Sequence, residues 1–506
     1  MTINALLNRG KSNFFIALHY NHHLITFTDY VIIILTMAIY FQGGICMNVL
    51  LNILIIMLAL SVMVIYLNKN KINPKVINYL VTAMFIGFLV HNFIGSKPWQ
   101  LTPIFFFMVL VVFFAMIKSP KTYMKVIYTI IASLLILVSI GLLYAFPARG
   151  IPNPTGEYKI GSYYDIIEDE NRLELYTEDS TDTRRFMIKV WYPTINTTSS
   201  EPRKWIGSSA ITESLAEDMG IPSFLLDHIN DIPSNHYGYA PLSQDQESYP
   251  IVIISHGWGG FMTLHTDLAE ELASRGYVVV AIDYTYGSVA STFIDETVYQ
   301  NKEALPDREH PNFIDAANQL VYTYAGDIIK TLDYLEDKDA PMPYALFEER
   351  LDLDNIGLLG HSTGGGADVA VALNDARIKA LLGLDAWVEP ILQTEITKGL
   401  NIPSVFLRSE TWEDGPNNNN LSQLILNSSQ ATLYQIDGTT HSDFSMAYMF
   451  STLTGMLGIT GSLDAEYLLH IQKDIMNSFF DEHLRGSVNQ NIDFTAYDEL
   501  KLVEFD

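Results

Sequence analysis

A serine set among glycines is the first feature of the sequence with the chemistry of a catalyst. Ser362 lies in Gly360-His-Ser-Thr-Gly364, a G-x-S-x-G motif between the apolar run NIGLL and the helix-like segment GADVAVAL. The motif alone is weak, because it also occurs by chance. Between a strand and a helix, however, it is typical of a nucleophile elbow, in which a strained turn exposes the serine hydroxyl. We therefore predict that the turn presents Ser362 as a nucleophile.

A serine hydroxyl needs a base, and chains with this elbow supply a histidine after the serine and after an acid. Three histidines follow the plausible acids. His470 and His483 lie on the predicted closing helix, where a surface or packing role is the ordinary interpretation. His441 lies in a loop directly after the last predicted strand, where this fold places its base. The sequence therefore predicts His441 as the general base.

The acid that orients the base has three candidates by pattern. Asp385 ends the strand KALLGLD, whereas Glu410 and Asp414 follow the next strand, SVFLR. The position after that later strand is the commoner one for the acid, so the pattern slightly favours Glu410 or Asp414. From the residues alone the three stay open.

A second glycine-rich turn, His256-Gly-Trp-Gly-Gly260, follows another apolar strand. Backbone N–H groups at such a turn are placed to bind a developing oxyanion. The plainer interpretation is a glycine-rich connection between a strand and a helix. The sequence has no H-E-x-x-H or paired-cysteine pattern, so we expect neither a metal nor a cofactor.

The elements that must position these residues alternate along the second part of the chain, which predicts a mostly parallel α/β sheet. Strands are predicted at 186–192, 250–255, 277–283, 356–359, 379–385, 404–408 and 432–436, and helices at 268–275, 325–335 and 464–484. Residues 203–245 are expected to form an irregular cap or entrance insertion. The four asparagines at 417–420 are expected in a solvated loop.

The first part of the chain has the composition of a membrane protein. Four stretches of membrane-spanning length carry almost no charge: 47–67, 76–94, 101–117 and 124–146. A weaker run at 30–42 is a fifth span, an interfacial helix or an extension. Buried helices of a soluble domain are the alternative, but such helices carry charge on one face. The sequence thus predicts a bundle of four or five transmembrane helices.

Charge gives this region an orientation and divides the chain into domains. Lysines cluster in loops 68–75 and 118–125, which the positive-inside rule places in the cytoplasm. The part beyond is then extracytoplasmic, in a multi-pass protein of the cell membrane. We predict a membrane domain at 1–147, a Pro/Gly-rich linker at 148–160, a catalytic domain at 161–490 and an acidic tail at 491–506.

The catalytic part is strongly acidic. Residues 151–506 carry a formal charge of −36, against +9 for residues 1–150. Such a charge argues against a nucleic-acid partner. The single cysteine, Cys46, excludes an intramolecular disulfide.

Four stretches resemble the platelet-activating-factor acetylhydrolase family, the group VII phospholipases A2. They are ISHGWGGFMTLHTDLAEELASRGYVVVAIDY (254–284), GHSTGGGADV (360–369), GLDAWVEP (383–390) and THSDFS (440–445). The resemblance runs from about Lys159 to about Leu484 and implies an α/β-hydrolase fold. It also implies Asp385 as the acid of a Ser362–Asp385–His441 triad, and the backbone N–H groups of Trp258 and Thr363 as oxyanion donors. Thr363 stands where this family usually has Phe.

The expected function is a membrane-anchored serine hydrolase of carboxylic esters. Its substrates would be short-chain or oxidised acyl esters of phospholipids, or similar small esters, cleaved through an acyl-enzyme. A general carboxylesterase or lipase, an acyltransferase of the same fold and a non-catalytic receptor or interaction module are the alternatives. The physiological ester and the oligomeric state are left open by the sequence.

Overall fold

The computed structural model describes residues 99–505, with gaps at 116, 118, 148, 199, 339, 341–345, 348 and 488–493, and a few single positions between 52 and 85. The run 30–42 and, apart from those single positions, the predicted spans 47–67 and 76–94 lie outside the described residues. Two compact units divide the chain: Met1–Gly95 with Pro103–Leu137, and Ser96–Thr102 with Val138–Asp506. The division falls inside the fourth predicted span rather than at residue 147.

Two apolar helices, Thr102–Ala115 and Thr122–Ala145, coincide with the third and fourth predicted spans. Among the described residues, only Thr122–Ala145 is both long and apolar enough to cross a membrane, with a mean hydropathy of 2.7; the apolar stretch Trp99–Phe114 is shorter. In the first unit, the Phe114 ring stacks on Tyr128 with centroids 4.4 Å apart. The described part of the chain therefore contains one such helix and not the predicted bundle.

The second unit contains a sheet of eleven strands, and the predicted, mostly parallel arrangement is confirmed at its centre. Strands β12, β11, β10, β9, β5 and β6 are neighbours in this order and run parallel. Antiparallel pairs add β13 beyond β12, and β2 and β1 beyond β6; β4 and β3 complete that edge. The strands are β1 Lys159–Leu173, β2 Thr183–Thr194, β3 Glu201–Lys204, β4 Pro233–Gly238, β5 Tyr249–Ser255, β6 Val278–Asp283, β9 Leu351–His361, β10 Ile378–Leu384, β11 Ser404–Ser409, β12 Ala431–Ile436 and β13 Leu500–Val503, with β7 Ala290–Thr292 and β8 Thr297–Tyr299 forming a separate pair.

Both faces of this sheet are covered, which explains why its central strands are apolar throughout. On β5, Ile251 and Ile253 pack into one core, and Val252 and Ile254 pack into the core on the other face. The helices of the unit are Ser209–Asp218, Asp227–Asn230, Thr266–Ser274, Phe313–Glu336, Thr363–Ala372, Gln393–Ile396, Pro416–Asn427 and Ala465–Arg485. Phe313–Glu336 and Thr363–Ala372 supply the first core, and Thr266–Ser274 and Ala465–Arg485 the second.

Two predictions about irregular segments are wrong. Residues 203–245 contain the sheet strand β4 and two helices, in place of an irregular insertion. Residues 417–420 begin the helix Pro416–Asn427, which has proline in its first turn. The Asn417 side-chain oxygen accepts the N–H groups of Val388 and Glu389 at 2.8 and 3.0 Å. Asparagine is tolerated in a helix when its side chain finds such hydrogen-bond partners. That contact is not visible in the sequence.

The two segments that flank the predicted catalytic domain are part of its structure. In the predicted acidic tail, Leu500–Val503 forms β13 and pairs with β12, with Leu500 opposite Ile436. In the predicted linker, Thr155 donates its N–H and its hydroxyl to the Glu271 carboxylate at 2.9 and 2.5 Å. Part of the predicted tail therefore forms a strand of the sheet, and the predicted linker packs on the second unit.

Candidate active site

Ser362 lies on a sharp turn between β9 and the helix Thr363–Ala372. Its φ is 56° and its ψ is −124°, a left-handed conformation that costs a non-glycine residue free energy. The neighbouring strand holds the turn, because Ser362 N–H donates to Leu384 O at 3.1 Å and Trp387 N–H donates to Ser362 O at 2.8 Å. A Cβ on Gly364 would lie 2.5 Å from the carbonyl oxygens of Ser255 and His256. Glycine is therefore required for this close approach.

The glycine-rich turn after β5 lies directly against Ser362. A Cβ on Gly257 would lie 2.7 Å from Ser362 Cβ and 3.2 Å from Ser362 Oγ. The N–H groups of Trp258 and Thr363 find no acceptor among the described residues. The Thr363 N–H is also at the first turn of a helix, where the dipole favours negative charge. The structure thus leaves both predicted oxyanion donors available beside Ser362.

The structure brings Asp385 and His441 together. His441 Nδ1 lies 3.0 Å from Asp385 Oδ2, and the Asp385 side chain has no exposed surface. Ser409 binds the same carboxylate twice, with its N–H 2.7 Å from Oδ1 and its hydroxyl 2.6 Å from Oδ2. Asp385, like Ser362, has positive φ, at 43°. Three hydrogen bonds therefore fix this buried carboxylate against the imidazole.

The two competing acids contact other groups. Glu410 accepts the backbone N–H of Gly438 at 2.7 Å, at the start of the loop that carries His441. Asp414 has no hydrogen bond or ion pair within the described part of the chain. Of the other histidines, His470 is exposed beside Asp474, and His483 packs on Phe479. By geometry, Asp385 is the carboxylate that orients His441.

Three buried side chains support the glycine-rich turn, and this arrangement was not predicted from the sequence. His256 donates through Nδ1 to its neighbour's carbonyl, Gly257 O, at 2.8 Å, and its Nε2 lies 3.0 Å from Ser288 Oγ. Ser288 Oγ also contacts the Asp283 carboxyl. Burial lowers the pKa of His256 to about 4 and raises the pKa of Asp283 to about 6. A neutral His256 therefore holds the carbonyl of the residue that touches Ser362.

Two more residues at the site were missed because their signal is spatial. The His361 ring lies 4.5 Å from the His441 ring, and His361 Nε2 donates to His441 O at 3.1 Å. Burial holds the pKa of His361 well below its usual range, so this side chain is neutral. The indole of Trp412 stacks on the His441 imidazole at 4.1 Å. The histidine of G-H-S is a signal for His361, whereas nothing in the sequence marks Trp412.

Trp387, expected to pack beside the acid, is 8% exposed, and its indole N–H points to Glu389 at 3.3 Å. Among the described residues, no group of three or more His, Cys, Asp or Glu side chains is arranged to hold a metal ion. The absence of a metal and of a cofactor from the reaction stays a prediction.

Comparison with known proteins places this site in a family. Residues 143–500 match the family model described as platelet-activating factor acetylhydrolase, isoform II. The chain belongs to this family. The matched range contains all five predicted site residues (Trp258, Ser362, Thr363, Asp385 and His441), and it ends in β13.

Individual relatives of this acetylhydrolase family are distant in sequence. Platelet-activating factor acetylhydrolase from Canis lupus familiaris is 25% identical over 380 residues, which are 69% of this chain and 80% of the relative. The Bos taurus enzyme of the same name is 24% identical over 382 residues, with the same shares covered. A probable 1-alkyl-2-acetylglycerophosphocholine esterase from Arthroderma benhamiae is 22% identical over 247 residues, 46% of this chain and 58% of the relative.

The fold has a solved counterpart. Ferulic acid esterase from Streptomyces cinnamoneus superimposes with a TM-score of 0.57 and 21% identity, covering 71% of this chain and all of the other. Together with the parallel sheet and its flanking helices, this likeness assigns the α/β-hydrolase fold.

Proposed function

We propose that this chain is a membrane-anchored serine esterase of the platelet-activating factor acetylhydrolase type. The observation that carries the proposal is the meeting of three elements at the carboxyl ends of neighbouring parallel strands. The strained Ser362 turn follows β9, the buried Asp385–His441 pair bridges the ends of β10 and β12, and Gly257 after β5 touches the serine. Acyl transfer needs these groups in this arrangement.

The hydrogen bond between His441 and Asp385 suggests a role for each imidazole nitrogen in the proposed reaction. Because Nδ1 of His441 donates to Asp385, Nε2 is the nitrogen that accepts the Ser362 proton. Ser362 Oγ attacks the ester carbonyl, and the Trp258 and Thr363 N–H groups stabilise the oxyanion. His441 then returns the proton to the leaving alcohol, which leaves an acyl-enzyme. A water molecule, deprotonated by the same histidine, releases the acid and restores Ser362.

The substrate class is proposed from the relatives. The mammalian relatives are named for the acetyl ester of platelet-activating factor, and the fungal relative for a 1-alkyl-2-acetylglycerophosphocholine. We extend this to short-chain or oxidised acyl esters of phospholipids and similar small esters.

Anchoring in the membrane is proposed from the helix Thr122–Ala145. Along it, large apolar side chains are exposed to at least two-fifths: Val126, Ile127, Ile130, Ile131, Leu134, Leu137, Val138 and Ile140. Exposed apolar surface on this scale suits lipid contact. Lys121 and Lys125 lie at the start of the helix, and its last turn has no basic residue. By the positive-inside rule, this asymmetry supports a catalytic unit outside the cytoplasm, which we include in the proposal.

The test of the esterase is Ser362→Ala in the full-length protein in detergent or membranes. We expect this variant to lose labelling by a fluorophosphonate and to lose hydrolysis of a p-nitrophenyl acetate probe by on the order of 10³-fold or more. Ser422→Ala, in the helix Pro416–Asn427, is the matched control and should keep both. Equal thermal midpoints would show that the fold is intact. Undiminished labelling of Ser362→Ala would exclude Ser362 as the nucleophile.

The substrate range is tested separately with phosphatidylcholines that carry sn-2 acyl chains of graded length. We expect kcat/KM to fall steeply as the chain lengthens beyond a few carbons, with ω-oxidised chains retained. Equal rates for acetyl and palmitoyl chains would favour a general lipase.

A further inference from the structure

The candidate base has an aromatic neighbour whose geometry is specific. The ring planes of Trp412 and His441 are parallel to within 1°, with centroids 4.1 Å apart. We propose that Trp412 is a positioning residue for His441, which fixes the orientation of the imidazole and stabilises the imidazolium formed during acyl transfer. The kinetic part of this inference rests on the proposed esterase function, whereas the stacking itself does not.

The segment that carries Trp412 holds both members of the acid–base pair. It follows β11 directly, and Ser409 at its start binds the Asp385 carboxylate through its N–H and its hydroxyl. Trp412, three residues later, ends a 3₁₀ turn and covers the His441 ring. Glu410, between them, binds the N–H of Gly438 in the loop of His441. One short segment therefore connects the acid, the base and the loop of the base.

Charge explains why an indole suits this position. As the general base of the proposed reaction, His441 gains a positive charge when it takes the serine proton. The face of an indole carries negative electrostatic potential, so it attracts a cation that lies over it. A parallel stack at 4.1 Å thus favours the imidazolium, and with it the charge distribution of the transition state.

The other groups around the His441 ring make different contacts from the stacking contact of Trp412. From the end of β10, the Asp385 carboxylate binds Nδ1. From the end of β9, His361 is held neutral by burial, with its pKa well below the usual range, and binds the His441 carbonyl. On β11, burial lowers the pKa of the Arg408 guanidinium. Attraction to the charge of Asp385 partly opposes this effect. Among the described residues, Asp385 and Trp412 are the two of these groups that contact the imidazole and favour positive charge on it.

The stack has a direct spectroscopic test that needs no catalysis. An imidazolium in van der Waals contact quenches the fluorescence of an indole by electron transfer, whereas a neutral imidazole does not. We expect the emission of the full-length protein to rise with increasing pH, as the stacked imidazolium loses its proton. The rise should vanish in Trp412→Phe and in His441→Gln. Trp191 also contacts a histidine, His236, but burial holds the pKa of that ring well below its usual range, so it stays neutral during the titration. In Ser362→Ala it should persist. A rise unchanged by Trp412→Phe would overturn the stack.

The kinetic test compares Trp412→Leu with Trp412→Phe. Leucine fills part of the space but has no π face, so kcat should fall on the order of tenfold with little change in KM. The acid limb of kcat/KM against pH should move to lower pH, because the imidazolium loses its partner. Phenylalanine should recover most of both. A residue that only supports the fold would lower the thermal midpoint without moving this limb.

The two tests separate the two proposals. A pH-dependent rise in emission without any esterase activity would contradict the proposed function and support the stack. Esterase activity in Trp412→Leu at the parental kcat, with an unmoved acid limb, would overturn the positioning role and leave the esterase in place.

Discussion

The carboxylate of Asp385 lies 3.0 Å from Nδ1 of His441, although Asp385 ends the strand before the one that commonly carries the acid in this fold. The later strand, β11, contributes Ser409, which donates two hydrogen bonds to the Asp385 carboxylate. The acid and its support have thus been divided between two neighbouring strands. This relationship makes Asp385 the side chain that can keep Nδ1 of His441 protonated.

We expect Asp385→Asn to lose on the order of a thousandfold or more in kcat. The amide keeps the shape of the side chain but removes its charge. His441 then loses the partner that fixes its tautomer and stabilises its imidazolium. KM should change little, because ground-state binding does not use this buried group. Steady-state kinetics on a short-chain ester and a thermal unfolding curve are the measurements.

The matched controls are Glu410→Gln and Asp414→Asn, which should stay within about tenfold of the parent. Glutamine retains an oxygen for the Gly438 N–H, and Asp414 has no partner within the described residues. Loss of activity in either control variant, together with an active Asp385→Asn, would show that the acid follows the later strand, where it is commoner in this fold.

Gly257 gives a steric prediction about the serine. In Gly257→Ala the added methyl group would lie 3.2 Å from Ser362 Oγ and 2.7 Å from its Cβ, so the nucleophile and the oxyanion turn must move apart. We expect kcat to fall on the order of a hundredfold, as for misplaced reacting groups. Gly455→Ala is the control, because its Cβ would meet only an ordinary contact at 3.4 Å. Parental kcat in Gly257→Ala would show that this turn does not form the oxyanion site.

Ser362 and His441 could be picked out as candidate nucleophile and base because their signals are local. G-x-S-x-G between a strand and a helix, and a histidine after the last apolar strand, need only neighbouring residues. The central strands were predictable for the same reason, since each is a short apolar run covered on both faces. Asp385 needed a family resemblance, because three carboxylates fitted the pattern and the pattern slightly favoured Glu410 or Asp414.

Two kinds of feature could not be predicted from the sequence. They are contacts between residues far apart in the chain, and elements that have no apolar pattern. Trp412 reaches His441 across 29 positions, and Ser409 reaches Asp385 across 24. The edge strands β3 and β13 have the sequences EPRK and LKLV, and four residues are too few to establish a period of two. Packing against the rest of the sheet determines their structure.

Glu271 predicts how stability depends on pH. Its side chain has no exposed surface, and burial by itself would raise its pKa. Hydrogen bonds from Arg275 and Thr155 and the charge of Lys473 outweigh burial and lower the pKa from 4.5 to about 2. Asn477 also donates a hydrogen bond to this carboxylate, at 3.0 Å. In the folded state it therefore stays ionised where the unfolded chain is already protonated. Its contribution is complete above about pH 4.5 and is lost as pH falls towards 2.

We expect Glu271→Gln to lower the free energy of unfolding at pH 7 by about 2–3 kcal/mol and to flatten its slope between pH 4.5 and 2. Denaturant unfolding of the full-length protein at several pH values measures both. Glu178→Gln, at an exposed carboxylate, should change neither. An unaltered acid slope in Glu271→Gln would show that this network does not account for the acid sensitivity.

The orientation of the chain can be tested with single cysteines, because Cys46 is the only native one. In a Cys46→Ser background, Ser119→Cys lies in the lysine-rich loop before the helix Thr122–Ala145, and Glu178→Cys lies on the catalytic unit; both positions are exposed. The positive-inside rule places residue 119 in the cytoplasm and residue 178 outside. A membrane-impermeant maleimide added to intact cells should therefore label Glu178→Cys at once, and Ser119→Cys only after lysis. The opposite pattern would invert the topology, and equal labelling of both before lysis would show that the helix does not span the membrane.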